Sequence, residues 1–321
     1  MKISVLGCGR WGSFIGWYLV NEGHSVIQWG TPGHHSFDVL KNTGRNEYVE
    51  LNKNVTLTSD LEYAVNSSDI IVISISAQGL REFMKRVTAF DIKDKIFVLC
   101  MKGIEIATGK RLSEVMIESG VSADKVAVWV GPGHIQAFTQ GYPNCMLIDS
   151  NNKELIKYLA DNLRSHLIRF YYGDDIIGSE IGAAAKNVMG IAAGMLDGGG
   201  YTTLKGPLMA RGAREVARLI KAMGGNELSA YGLCHLGDYE TTLFSEYSNN
   251  RKFGEKYVRG EPFEKLAEGV STAKAMKTLG ENYNVDLPIT NAVYSILYEH
   301  KEPMQVFLSL FSRSTRTEFD L

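Results

Sequence analysis

Five apolar runs dominate the first half of this chain: "KISVLG" (2–7), "SVIQWG" (25–30), "DIIVISI" (69–75), "KIFVLCM" (95–101) and "KVAVWVG" (125–131). None alternates polar with apolar residues, so each must be covered on both faces, as strands of a parallel sheet are. Amphipathic segments at 78–88 and 109–119 lie between them. "CMLIDS" (145–150) and "LIRFYY" (167–172) add two further strands around a helix at 152–164. Strands alternating with helices require right-handed crossovers, which gives a doubly wound α/β sheet of the Rossmann type.

Past "YYGDD" the strand signal stops, and the pattern predicts helices alone over 176–195, 206–223, 227–231, 261–282, 288–298 and 303–311. Joints such as "MGGN" (223–226) separate them. The expected organisation is a dinucleotide-binding domain over 1–174 and an all-α substrate domain over 175–321, with the site in the cleft between. A length of 321 residues accommodates two such cores. The formal net charge of −2 carries no nucleic-acid or membrane-surface signature. No run reaches the roughly 20 apolar residues of a membrane span, and "MKISVLGCG" does not read as a secretory signal. Cys8, Cys100, Cys145 and Cys234 are scattered, and the histidines show no ligand spacing. That pattern suits a reducing cytoplasm and predicts no metal.

"VLGCGRWG" places Gly7, Gly9 and Gly12 in G-x-G-x-x-G spacing between the first strand and the first helix. In that setting Gly7 makes the tight turn, Gly9 admits a pyrophosphate to the backbone, and Gly12 allows close packing of helix on strand. The helix N-terminus adds free N–H groups for the phosphates. A carboxylate after the second strand would bind the ribose 2′-hydroxyl of NAD. "QWGTPGHH" has none from Gln28 through Ser36, and no arginine that would demand a 2′-phosphate. Thr31 and the histidines tolerate either, so the cofactor expected is NADP or NAD.

A second feature asks for explanation. "IGAAAKNVMGIAAGMLDGGG", beginning at Ile181, buries Lys186 in a helix of Ala and Gly. Such a surface packs closely and solvates an ammonium badly. An amine there loses proton affinity through desolvation and can exchange a proton with a substrate hydroxyl near neutral pH. Lys102, in "CMKGIE" at the carboxyl end of a strand, stands where open α/β sheets place their ligands.

With these segments in view, the chain resembles the NAD(P)-dependent glycerol-3-phosphate dehydrogenases. The resemblance rests on "GCGRWG", "MKGIE", "GPGH", "AAAKNVMGIAAGMLDG", "ARG", "LGD", "SNNRKFG", Glu268–Gly269 and "DLPIT". The β-hydroxyacid dehydrogenases share the plan, but pair their lysine with an Asn four residues on, where this chain has Gly190. The resemblance implies that Lys186 is the general acid and base, that Asp238 orients its ammonium, and that Lys102 touches cofactor and substrate. It places Gly7, Gly9, Arg10, Trp11, Gly12, Thr31, Lys102, Ile135 and Glu268 at the cofactor. It places Lys102, Gly131, Gly133, Lys186, Asn187, Asp238, Thr242, Ser248, Asn249 and Asn250 at the substrate, with Lys205 nearby. It also implies a homodimer formed through the helical domain and a small phosphorylated substrate.

The departures concern the phosphate grip. Where the family has S-R-N-R, this chain reads Ser248-Asn249-Asn250-Arg251, and the family's G-P-T-F is Gly131-Pro132-Gly133-His134. The family's usual Asn ahead of its "ALITRG" segment is Thr203 here. An amide lacks the bidentate, charged fork of a guanidinium. The leading expectation is interconversion of sn-glycerol 3-phosphate and dihydroxyacetone phosphate. Two alternatives stand beside it: a paralogous reductase of a related hydroxy-ketone, and a non-catalytic cofactor sensor.

Overall fold

The computed structural model describes residues 1–315, 317 and 318. Residues 316 and 319–321, which the sequence reading assigns to the helical half, lie outside the described residues. The sheet comprises β1 (Lys2–Leu6), β2 (Ser25–Trp29), β3 (Thr56–Thr58), β4 (Ile70–Ile73), β5 (Ile96–Leu99), β6 (Val126–Val130), β7 (Asn144–Ser150) and β8 (Ile168–Tyr172). Their spatial order is β3-β2-β1-β4-β5-β6-β7-β8. The chain leaves β1 toward β2 on one side and returns to β4 on the other. A crevice must therefore open beyond the carboxyl ends of β1 and β4, where the winding reverses.

The strands from β1 to β6 are parallel, but β7 runs antiparallel to β6, and β8 follows β7. A wholly parallel sheet was the expectation. The connection from β6 to β7 explains the difference: its helix, α6, has only five residues (Ile135–Thr139). At about 1.5 Å per residue it is too short to carry the chain back along a strand, so β7 starts from the same end at which β6 finished.

The sheet is flanked by α1 (Arg10–Asn21), α2 (His35–Thr43), α3 (Leu61–Asn66), α4 (Leu80–Val87), α5 (Leu112–Glu118), the short α6, and α7 (Lys153–Leu163). Burial explains the sequence pattern: Val126–Val130 is buried at every residue, as are Ile70–Ile73. β8 departs from it, with Tyr171 and Tyr172 exposed, because it closes one edge of the sheet. Asn152 caps α7 by accepting from the backbone N–H groups of Glu154 and Leu155.

After β8 no further strand forms among the described residues, and the chain continues through α8 (Ile176–Gly198), α9 (Lys205–Ala222), α10 (Asn249–Val258), α11 (Glu268–Asn282), α12 (Pro288–Tyr298) and α13 (Pro303–Ser309). α8 is about 34 Å long, and nearly all of it is buried. The apolar pattern did not anticipate α10. Its sequence is mostly polar, and only Phe253, Tyr257 and Val258 mark an inner face, although Ser248 is a recognisable N-cap that accepts from the Arg251 N–H. The helix expected from residue 261 begins instead at Glu268. Pro262, which has no N–H and restricts the residue before it, stands in the intervening loop.

Glycine makes α8 the axis of this half. A Cβ at Gly194 would lie 1.9 Å from the Arg251 carbonyl oxygen, and one at Gly254 would lie 2.1 Å from the carbonyl of Ile191. One at Gly198 would lie 2.6 Å from the carbonyl of Glu255. α8 and α10 thus meet backbone to backbone along one glycine seam. Gly190 belongs to the same seam: a Cβ there would meet Thr242 Cγ2 at 2.8 Å. The seam predicts that Gly194→Val destabilises the protein by about 2–3 kcal/mol, the usual scale of overpacking a filled interior. Denaturant unfolding of the purified variant measures it, and an unchanged midpoint would contradict the close approach.

Candidate functional site

A cleft of about 1050 Å³ opens at the carboxyl ends of β1, β2, β4 and β5 and is closed on its far side by α8, α10 and the start of α11. It lies at the upper end of the usual size for small-molecule sites. Its walls carry most of the residues singled out from sequence. Gly7, Gly9, Arg10, Trp11, Thr31, Lys102, Ile135 and Glu268 line it, and so do Gly133, Lys186, Asn187, Thr242, Ser248, Asn249 and Asn250. Gly12, Gly131 and Asp238 lie behind that wall.

The turn after β1 is built for close approach. Gly7 has φ +126°, and a Cβ there would sit 2.1 Å from the Ser74 carbonyl oxygen. Gly12 packs as tightly against the Gly7 carbonyl, which is why it is hidden from the cleft. At Gly9 a Cβ would meet nothing within 4 Å, so the space above it belongs to the cleft. α1 begins there with no side-chain cap and no acidic residue in its first turn. An uncapped, unneutralised helix N-terminus beside an open glycine fits the pyrophosphate of a dinucleotide. At the end of β2, Thr31, His34, His35 and Ser36 line the continuation of the cleft.

The opposite end is ionic. Lys102 donates to the Gly131 carbonyl at 2.9 Å and to Asp238 Oδ2 at 2.7 Å. Lys186, from the middle of α8, reaches the same Oδ2 at 3.0 Å and donates to Thr242 Oγ1 at 2.8 Å. One buried carboxylate therefore holds two ammonium groups, one from each half of the chain. Burial alone would raise the Asp238 pKa, but the two lysines more than offset it, and the carboxyl is held below its ordinary value. Desolvation pushes Lys186 down to about 8; Asp238 resists the shift and Lys102 adds to it.

Thr241 was not singled out from sequence, yet its hydroxyl donates to the other Asp238 oxygen, Oδ1. It lies in a one-turn π-helix, Glu240–Phe244, that also carries Thr242. Asn187 accepts from Asn250 Nδ2 at 3.0 Å, and Asn250 Oδ1 in turn accepts from the Gly269 N–H at 2.9 Å. That chain fixes Asn250 between α8 and α11. Asn249 reaches only the Leu266 carbonyl, at 3.3 Å.

Two basic residues of the sequence reading lie off the cleft. Lys205 and Arg251 both pair with Asp197, at 2.6 and 2.7 Å, at the far end of α8. Lys205 also donates to the Leu243 carbonyl at 2.9 Å, so it props the turn that carries Thr242. Gly133 cannot carry the family's threonine in this arrangement, because a Cβ there would lie 2.4 Å from the Phe138 ring. Glu268 opens α11 at the cleft wall; burial raises its pKa to about 7, against the pull of a backbone hydrogen bond at Ala77.

A dinucleotide-binding turn facing a buried lysine pair across a two-lobed cleft defines the class of a two-domain dehydrogenase. Sequence comparison gives the family. Residues 2–156 match the model of the NAD-dependent glycerol-3-phosphate dehydrogenase N-terminus, and residues 175–308 match that of its C-terminus. The chain belongs to this family. It is 34% identical to a glycerol-3-phosphate dehydrogenase (NAD(P)+) of Prosthecochloris aestuarii, over 99% of this chain and 100% of that one. It is 36% identical to one from a Thermotoga species, over 99% of each. The crystal structure of glycerol-3-phosphate dehydrogenase from Coxiella burnetii superposes with a TM-score of 0.88 at 26% identity, covering 97% of this chain and 98% of that one. D-mandelate dehydrogenase shares the fold alone, with a TM-score of 0.65 at 17% identity, over 94% of this chain and 98% of that one.

The open space at Gly9 gives a direct test of the cofactor end. Gly9→Leu is expected to leave the thermal midpoint nearly unchanged while weakening NADH and NADPH binding at least 100-fold, since the side chain takes the phosphates' place. Fluorescence titration of the reduced nicotinamide reads the binding, and undiminished affinity would remove Gly9 from the site.

Proposed function

We propose that this chain is an NAD(P)-dependent oxidoreductase that interconverts sn-glycerol 3-phosphate and dihydroxyacetone phosphate. The observation that carries the mechanism is the buried pair of lysines on one carboxylate, facing a cleft with a dinucleotide turn at its other end. A bound nicotinamide supplies or accepts the hydride at the carbinol carbon. Lys186 handles the accompanying proton: it gives one to the ketone oxygen during reduction and takes one from the hydroxyl during oxidation. Desolvation makes this feasible by bringing its pKa down to about 8, close enough to physiological pH for both forms to be populated.

Lys102, beside it, stabilises negative charge developing on the same oxygen. Asp238 holds both ammonium groups at fixed positions, and its own bond from Thr241 prevents it from turning away. Asn187, Asn250, Asn249 and Ser248 present amides, a hydroxyl and the start of α10 to the substrate's other end. The site residues read from sequence are assigned these roles as part of the proposal. So are the division near residue 174, the homodimer and the cytoplasmic location. The cofactor preference follows from the loop after β2. Without a carboxylate from Gln28 through Ser36, it has nothing to repel a 2′-phosphate, so both NADH and NADPH are accepted.

Spectrophotometric assay with dihydroxyacetone phosphate tests this directly. Lys186→Ala is expected to lower kcat about 1000-fold while cofactor affinity stays within a few-fold of wild type. Absence of turnover by the wild type with either cofactor would overturn the reading in favour of a cofactor sensor. The pH profiles must also oppose each other. Reduction needs the ammonium, so its rate falls as pH rises through about 8, whereas oxidation needs the free amine and rises over the same interval. Asp238→Asn removes the charge that favours protonated Lys186 and should move both limbs to lower pH. Limbs that stay put would show that another group titrates.

A further inference from the structure

The resemblance places Arg10 at the cofactor, but its side chain reaches further. Arg10 lies at the start of α1, but its guanidinium crosses the cleft. Nη1 donates to the Tyr247 carbonyl at 3.1 Å, and Nη2 donates to Gln136 Oε1 at 3.4 Å. Its plane lies over the Tyr48 ring, 5.5 Å from the centroid. Tyr247 immediately precedes Ser248, the N-cap of α10. The charged tip from the first half of the chain is thereby anchored at the entrance to the substrate-facing helix of the second.

Charge accounting shows why this matters. Lys102 and Lys186 share Asp238, while Lys205 and Arg251 share Asp197 outside the cleft. Lys265 is mostly exposed and faces Glu47 at 4.0 Å. Arg10 touches a carbonyl, an amide oxygen and a ring; Glu47 acts on it through space, but no carboxylate within 4.0 Å pairs with it among the described residues. Of the first turn of α10, only the neutral amides of Asn249 and Asn250 line the cleft. His134 reports the convergence of these charges. Burial lowers its pKa to about 4, and the charges of Arg10, Lys186 and Lys102 push the same way against Asp238. Three cations and one carboxylate thus act on a single point of the cleft, a surplus that suits a phosphate monoester of charge about −2.

We propose that Arg10 grips the substrate's phosphate, supplying from the glycine turn the guanidinium that α10 lacks at Asn249. This deepens the function proposed above and rests on it. Its fork presents bidentate donors, and the Tyr247 and Gln136 contacts hold them at the α10 N-terminus, where free N–H groups add to the anion site. His134 lines the same cleft, and its Nε2 is buried without a hydrogen-bond partner. Because Arg10 belongs to the cofactor loop, the phosphate of one ligand and the seat of the other meet through one side chain.

The test compares dihydroxyacetone phosphate with phosphate-free dihydroxyacetone, using full-length wild type and Arg10→Gln. KM for the phosphorylated ketone should rise about 10- to 100-fold, the scale of a lost charge-assisted hydrogen bond. The NADPH dissociation constant, by fluorescence titration, should change less than the KM for dihydroxyacetone phosphate, and turnover of dihydroxyacetone should follow the smaller, cofactor-side change. Calorimetric binding of sn-glycerol 3-phosphate and of inorganic phosphate to the protein should weaken in parallel, and Asn249→Arg added to Arg10→Gln should restore it. A variant that loses NADPH affinity while binding glycerol phosphate normally would overturn the proposal and assign Arg10 to the pyrophosphate. Arg10-dependent phosphate binding without reduction of dihydroxyacetone phosphate by the wild type would instead keep the anion site and discard the substrate.

Discussion

The buried carboxylate of Asp238 binds the two halves of this protein into one site. Lys102 comes from the carboxyl end of β5 inside the sheet and Lys186 from the middle of the helical half, and both end on the same oxygen. Neither lysine could stay buried alone, because an unpaired ammonium in an apolar interior sheds its proton or pulls in water. Removing one partner from such a pair typically costs about 3–5 kcal/mol. The shared carboxylate leaves the cluster with one positive charge to spare. Burial keeps Lys186 only moderately basic, with Lys102 adding to the shift, while Asp238 fixes its position.

Such a position requires a helix that can come close to everything around it. Glycine along α8 gives that closeness, with Gly194 and Gly198 set against the backbone of α10 and Gly190 against Thr242. A methyl group at any of these would push α10 or the 240–244 turn outward, and with them Asn250 or Thr242. The same economy explains two departures from the family pattern. Phe138 fills the space beside Gly133 that a threonine would need. Asn249, where the family carries arginine, caps nothing and reaches only a carbonyl. Both changes fall at the substrate end, and neither touches the lysines.

Much of this was legible before any coordinates. Apolar runs identified every strand of the sheet but β3, because burial on both faces leaves no room for polar alternation; the three residues Thr56–Thr58 carry no such run. The glycine spacing marked the turn, since Gly7 has a backbone conformation that other residues resist and Gly12 leaves no space for a Cβ. Lys186 stood out because an ammonium in an Ala/Gly helix has no comfortable explanation except a partner. α10 was missed because its polar surface leaves only three apolar side chains to show an inner face, and the glycine seam that holds it to α8 leaves no apolar pattern. The reversal of β7 was missed because strand direction depends on the length of the helix before it, which apolar patterning does not record.

What the sequence by itself determined is therefore local and chemical: which segments are buried, where phosphates can approach the backbone, and which lysine loses water. Tertiary structure decided which charges meet. Lys102 and Asp238 are 136 residues apart, and Arg10 and the Tyr247 carbonyl are 237 apart. No periodicity or spacing along the chain encodes such pairings, because they depend on how the helical half packs across the crevice of the sheet. The sequence likewise presents Arg251 as the surviving cation of its motif. Only the packed helix shows it turned to Asp197, leaving Arg10 to face the cleft.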